Sequence, residues 1–173
     1  MQNILPFQSI LPTTLSLRGD LQRAGSKLVL IFEVIDSAGV LELPKAFCFD
    51  AHQVPRENEL WNETCFEMFL RPQNETLYYE FNFSLKPAWN EYLFTDYRSP
   101  QPPQAANDIA LKSMHWDGRL LKLELAGVNT NSNFDVSLNA VLKEKSGIKH
   151  YMALAHNGEK ADFHLAKNFI LKR

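Results

Sequence analysis

The stretch ENELWNETCFEMFLRP, residues 57–72, sets Glu67 between bulky apolar neighbours, and LYYEFNFSL, residues 77–85, does the same with Glu80. An acid in such company is a ligand-binding group, a catalytic group or a surface charge. Possible helpers stand close by in the chain: Trp61, Asn82, Trp89, Asn90 and Arg98. Carboxylates and amides hydrogen-bond to the hydroxyls of a sugar, and aromatic faces stack on its C–H surfaces. Two carboxylates about 5 Å apart are also the pair that a retaining glycosidase uses. Farther on, HNGEKADFH holds His156, Asp162 and His164, residue types that ligate transition metals. Read structurally instead, Asp162 fixes a turn and His164 hydrogen-bonds to a strand. No Gly-rich phosphate loop or G-x-S-x-G is present, and neither cysteine sits in a nucleophile motif.

The elements that must carry these groups alternate apolar and polar residues with a period of two. TTLSLRGDLQ and KLVLIFEVID flank RAGS; TCFEMFLRP and LYYEFNFSL flank QNET; IALKSMHW and RLLKLELA flank Asp117-Gly118; FDVSLNAVLKE and IKHYMALAH flank KSG. Four hairpins follow, with further strands at EYLFTDY and NFILKR. RSPQPPQAAND, residues 98–108, contains three prolines that forbid regular pairing and mark a long loop. A short helical turn is expected near ADFHLAKN. The expected fold is all-β: one domain, residues 1–173, an antiparallel β-sandwich of jelly-roll type with about nine or ten strands.

The central hairpin fixes its own faces. Tyr79, Phe81, Phe83 and Leu85 share one side, and Tyr78, Glu80, Asn82 and Ser84 the other. Phe66, Met68 and Leu70 share a side, with Cys65, Glu67 and Phe69 on the reverse. A slip of one residue would turn every apolar side chain outward, so Glu67 must fall on the face of Glu80 and Asn82. That face is either the solvated outside of the sheet or the floor of a concave binding surface. Cys65 and Phe69 beside Glu67 favour partial burial, and a half-buried acid needs a partner. Trp61 lies at the lip of its strand, and Trp89 is expected to be exposed. Trp116 reads as a core-edge tryptophan, with a two-residue Asp117-Gly118 turn pairing it with Arg119.

Eighteen basic residues stand against twenty acidic, a net charge of −2, which gives no footprint for nucleic acid or an anionic membrane. The first twenty residues show no signal-peptide pattern, and no apolar run approaches the ~20 residues of a membrane span. A cytoplasmic protein is expected, with Cys48 and Cys65 reduced and buried.

ELWNETCFEMFLRP followed by YYEFNFSLKPAWNEYLF resembles the pattern of DOMON-like domains, related to family 9 carbohydrate-binding modules. The ending ALAHNGEKADFHLAKNFIL is similar to that family's closing segment. The resemblance implies a jelly-roll β-sandwich that binds sugar or haem. Residue by residue, Trp61 and Glu67 match the motif's aromatic and acid, and Glu80 and Asn82 match polar positions of the partner strand. Trp89 is the candidate second aromatic. For haem, Met68, Met114, Met152, His115, His150 and His156 offer ligand atoms, but Met68 alternates with Phe66 and Leu70, and Met114 shares a face with Leu121, so both read as core. The sequence therefore points to a non-catalytic module for a small saccharide or glycan end, with no resident cofactor. Haem binding and glycoside hydrolysis are the alternatives.

Overall fold

The computed structural model describes residues 1–8, 11–101, 104–105, 109–128 and 132–173, with backbone only at 51, 104 and 105. Thirteen strands are found among them: β1 (Gln2–Pro6), β2 (Leu15–Ala24), β3 (Lys27–Asp36), β4 (Phe47–Asp50), β5 (Cys65–Pro72), β6 (Tyr78–Ser84), β7 (Ala88–Phe94), β8 (Gln104–Ala105), β9 (Ala110–Trp116), β10 (Leu120–Ala126), β11 (Phe134–Lys143), β12 (Lys149–Ala153) and β13 (Leu171–Lys172). They form a strongly curled antiparallel sheet in the order β4-β9-β10-β3-β2-β1-β12-β11-β5-β6-β7-β8, with β13 added to β11. β1 carries the ladder around the curl. Its first part pairs with β2, as in Ile4 with Leu17, and its last part with β12, as in Leu5 with Ala153.

The four expected hairpins are present, and the register of the central one is as alternation required. Phe66 faces Phe83, Met68 faces Phe81, and Glu67 faces Asn82. The inward side chains of both arms of the curl meet in one apolar core, where Phe32 of β3 lies 5.1 Å from Phe66 of β5. The closure is tight at Gly19 on β2, where a side chain would push on the methyl ends of two neighbours. A Cβ there would lie 2.8 Å from Ile4 Cδ1 and 3.0 Å from Leu138 Cδ1.

The strand count exceeds the nine or ten expected because β1, β4 and β8 were not legible. β1 buries one side chain deeply, and β4 alternates only half-heartedly over four residues, so neither gives a strong period. β8 also breaks the expectation that 98–108 is wholly unpaired: Gln104 and Ala105 pair with β7. The rest of that loop at 102–103 and 106–108 lies outside the described residues. The Asp117-Gly118 turn is corrected by one position. Trp116 pairs with Leu121, not Arg119, and Asp117 caps the turn by accepting the Arg119 and Leu120 amides at 2.8 and 2.6 Å. Trp116 is buried all the same, its indole donating to the Pro44 carbonyl at 3.2 Å. Cys48 is exposed rather than buried, because it lies on the outward side of β4; Cys65 is buried. Among the described residues no helix is long and apolar enough to cross a membrane.

Candidate ligand-binding site

The face bearing Glu67 and Glu80 is not a plain solvated outside. Residues 157–170 cross it on their way to β13, and Phe163 and Phe169 join Phe69, Tyr78, Tyr92, Phe94 and Val141 in a second apolar cluster. The crossing segment is held by its own amide bonds. Asn168 donates to the Asp162 carbonyl at 2.8 Å and accepts the Asn157 amide at 3.0 Å. The expected short helical turn is present at Ala166–Asn168.

Between this segment, the 95–101 loop and the sheet lies a cavity of about 370 Å3. Glu67 and Phe69 of β5, Glu80 of β6, Phe94 of β7, Val141 of β11 and Tyr151 of β12 line its sheet side. Trp61, Arg98, Gln101, Phe163 and His164 complete the walls. Of the residues expected from sequence, Trp61, Glu67, Glu80 and Arg98 therefore meet in one place. Trp61, 36 % exposed as a residue, sits on the 3-10 turn Leu60–Asn62 with its ring tilted against Tyr92 at 6.2 Å.

Asn82 and Asn90 share this face but lie beneath other groups. Asn82 is wholly buried, donating to Glu80 Oε1 at 2.8 Å, so it positions that carboxyl. Asn90 is occupied by the preceding loop: its Nδ2 donates to the Glu57 carbonyl at 3.0 Å and to Asn58 Oδ1 at 2.9 Å. Trp89 is a correction. It is 6 % exposed and faces the inner core, parallel to Phe83 at 6.4 Å with the Arg56 guanidinium 4.1 Å above its ring. Pairing with Phe83 puts it on the side opposite Glu67.

Sequence reasoning left His164 outside the site, yet it is central. The Tyr78 hydroxyl accepts the Arg98 amide at 3.1 Å and lies 2.8 Å from His164 Nδ1. The other ring nitrogen, Nε2, lies 3.7 Å from Glu80 Oε2. Asp162 accepts the His164 amide at 3.1 Å, the turn-fixing role considered for it, and pairs with Arg98 at 3.0 Å. Tyr97 donates to its other oxygen at 2.5 Å. His156 is elsewhere, its Nε2 bonded to the Leu5 carbonyl at 2.9 Å. The candidate haem ligands Met68, Met114 and Met152 lie in the inner core, away from the cavity.

Burial sets the protonation of the site. It raises Glu80 to about 7 against the bonds from Asn82 and the charge of Arg98. Burial, reinforced by Glu80, raises Glu67 well above the ordinary carboxylate range. His164 is held down to about 4 by burial and by Arg98. At neutral pH the imidazole is uncharged and Glu80 is only partly ionised, while Glu67 is displaced in the same direction. Glu67 is 4 % exposed, opens on the cavity and has no hydrogen-bond partner among the described residues. A buried carboxyl without a protein partner is a candidate contact for water or a ligand in the cavity.

No family model matches the chain, and no curated protein matches it. A solved structure from Bacteroides uniformis, described as a "putative carbohydrate-binding protein", is similar in fold, with a TM-score of 0.60 over 96% of this chain and 84% of that one. The two sequences are 11% identical.

Proposed function

We propose that the protein binds a sugar-like ligand, without turnover, in the cavity beside Trp61, as a carbohydrate-binding domain of DOMON-like type. The observation that carries this reading is the meeting of Glu67, Glu80, Arg98 and an exposed tryptophan ring around one open cavity. Its volume of about 370 Å3 falls in the roughly 300–1,000 Å3 range of small-molecule sites. The carboxyls at the floor can hydrogen-bond to sugar hydroxyls, and the Trp61 and Tyr151 rings line the same cavity, where C–H stacking is available to a sugar. The fold shared with the Bacteroides protein is compatible with that use. The same reading takes the curled sheet as a jelly-roll sandwich and the protein as cytoplasmic.

Titration with a panel of mono- and oligosaccharides, followed by backbone amide NMR, tests it. Shifts should gather at Trp61, Glu67, Glu80 and His164; a panel that moves none of them rejects the proposal. A second reading, glycoside hydrolysis by the two carboxyls, is favoured by one feature. Glu80, raised to about 7, still holds a proton to donate at neutral pH, as a general acid must. Release of reducing sugar from aryl glycosides, lost in Glu80→Gln, would separate turnover from binding.

A further inference from the structure

The polar groups around the cavity differ in how far the protein has already satisfied them. Arg98 is committed to Asp162. His164 is neutral, with Nδ1 engaged by Tyr78 and Nε2 turned toward Glu80. Glu80 gives one oxygen to Asn82. Glu67 gives neither of its oxygens to a described residue. Among the charged groups that line the cavity, Glu67 is thus the one left without a bond from a described residue, and Arg98, the cation that bears on both acids, is paired with Asp162. Around Glu67 stand aromatic rings, Phe69, Phe94, Phe163, Tyr151 and Trp61.

We infer that the cavity selects a sugar bearing a primary ammonium group, seated at Glu67 and Glu80 within these aromatic walls. This deepens the saccharide reading and rests on it. A hydroxyl brings one donor, whereas an ammonium brings three donors and a positive charge, and aromatic faces attract that charge. An N-acetyl group removes the charge and adds bulk.

Binding is coupled to protons. Burial raises both carboxyls in the empty cavity, Glu80 to about 7, and an arriving ammonium favours their charged forms, so protons leave as it binds. The groups that face the pair are Cys65 on β5, Tyr78 on β6, Tyr92 on β7, Tyr151 on β12, Arg98 on the 95–101 loop and His164 on the crossing segment, with Asp162 and Tyr97 bonded behind Arg98. Cys65, Tyr78, Tyr92 and Tyr97 are pushed up, the first three chiefly by burial and Tyr97 by its bond to Asp162. Burial raises and hydrogen bonds lower Asp162, with a net fall, and His164 is held at about 4. The released protons therefore come from the glutamates.

Isothermal titration calorimetry at pH 7 with glucosamine, glucose, N-acetylglucosamine and ethanolamine tests the inference. Glucosamine should bind about tenfold tighter than the two neutral sugars, with a heat that depends on the buffer's ionisation enthalpy as proton release requires. In Glu67→Gln, checked for folding by circular dichroism, the ratio of glucosamine to glucose affinity should collapse toward one. Equal binding of glucose and glucosamine by the unmodified protein would overturn the inference and leave the saccharide reading standing. Ethanolamine binding as tightly as glucosamine would overturn it too, since the ring would then add nothing. Binding of none of the four would overturn the inference, and the saccharide reading would fall with it when the wider panel of mono- and oligosaccharides also shifts none of the site residues.

Discussion

The Tyr78 hydroxyl lies 2.8 Å from Nδ1 of His164, joining a strand of the sheet to the segment that crosses it. The same hydroxyl accepts the Arg98 amide from the 95–101 loop. One phenol thus ties together three pieces of chain that surround the cavity, and its ring packs parallel to Phe94 at 5.0 Å. The cavity owes its shape to this junction, not to the sheet alone.

Tyr78→Phe keeps the ring and strands both partners. We expect a loss of about 1–3 kcal/mol in urea unfolding, with faster amide exchange across residues 157–170. Unchanged stability and exchange would mean that the junction does not hold the crossing segment.

Glu80 gives a pH signature. Its folded value of about 7 lies above the ordinary 4.5, so the folded protein binds more protons than the unfolded chain between those values. Its contribution is fully present below pH 4.5 and is lost as pH rises through 7. His164 works in the opposite sense: its folded value of about 4 lies below 6.5, so its contribution is present above pH 6.5 and lost as pH falls through 4. The two slopes oppose one another between about pH 4.5 and 6.5. Glu80→Gln should therefore become more stabilising relative to the original protein as pH rises from 4.5 to 7, by on the order of 2–3 kcal/mol. Denaturation series at fixed pH steps would show it; a constant difference across the range would contradict it.

Gly19→Val should be strongly destabilising. The added atoms would run into Ile4 and Leu138 where the two arms of the curl close, and overpacking of this kind costs about 1–3 kcal/mol. Thermal unfolding would report it, and an unaltered midpoint would show that the closure has slack.

Trp61→Ala separates binding from folding. The ring is partly exposed on a short turn, so its loss should change stability by less than about 0.5 kcal/mol while weakening saccharide affinity at least several-fold. A large stability loss with unchanged affinity would make the ring structural.

The sheet was legible because it depends on alternation. Once Phe66, Met68 and Leu70 must face Tyr79, Phe81 and Phe83, Glu67 can only stand on the side of Glu80. The cover over that side was not legible. Residues 157–170 form no long strand or helix and so carry no period, and what they bury is decided by Phe163 and Phe169 meeting Phe69 and Tyr78 in space. His164 was noticed as a histidine beside an aspartate, but its neighbours belong to β5, β6 and β7. Trp89 was misplaced because the proline before it suggested an irregular connection. Continuing the alternation of β6 around the short turn, Phe83 to Trp89, would have put it in the inner core.

The most direct measurement is a crystal structure of the protein soaked with a saccharide mixture that includes glucosamine. The account predicts sugar density in the cavity, with a donor on Glu67 and a ring face against Trp61. A saccharide bound only at another surface, or a cavity holding nothing but solvent at saturating ligand, would contradict it.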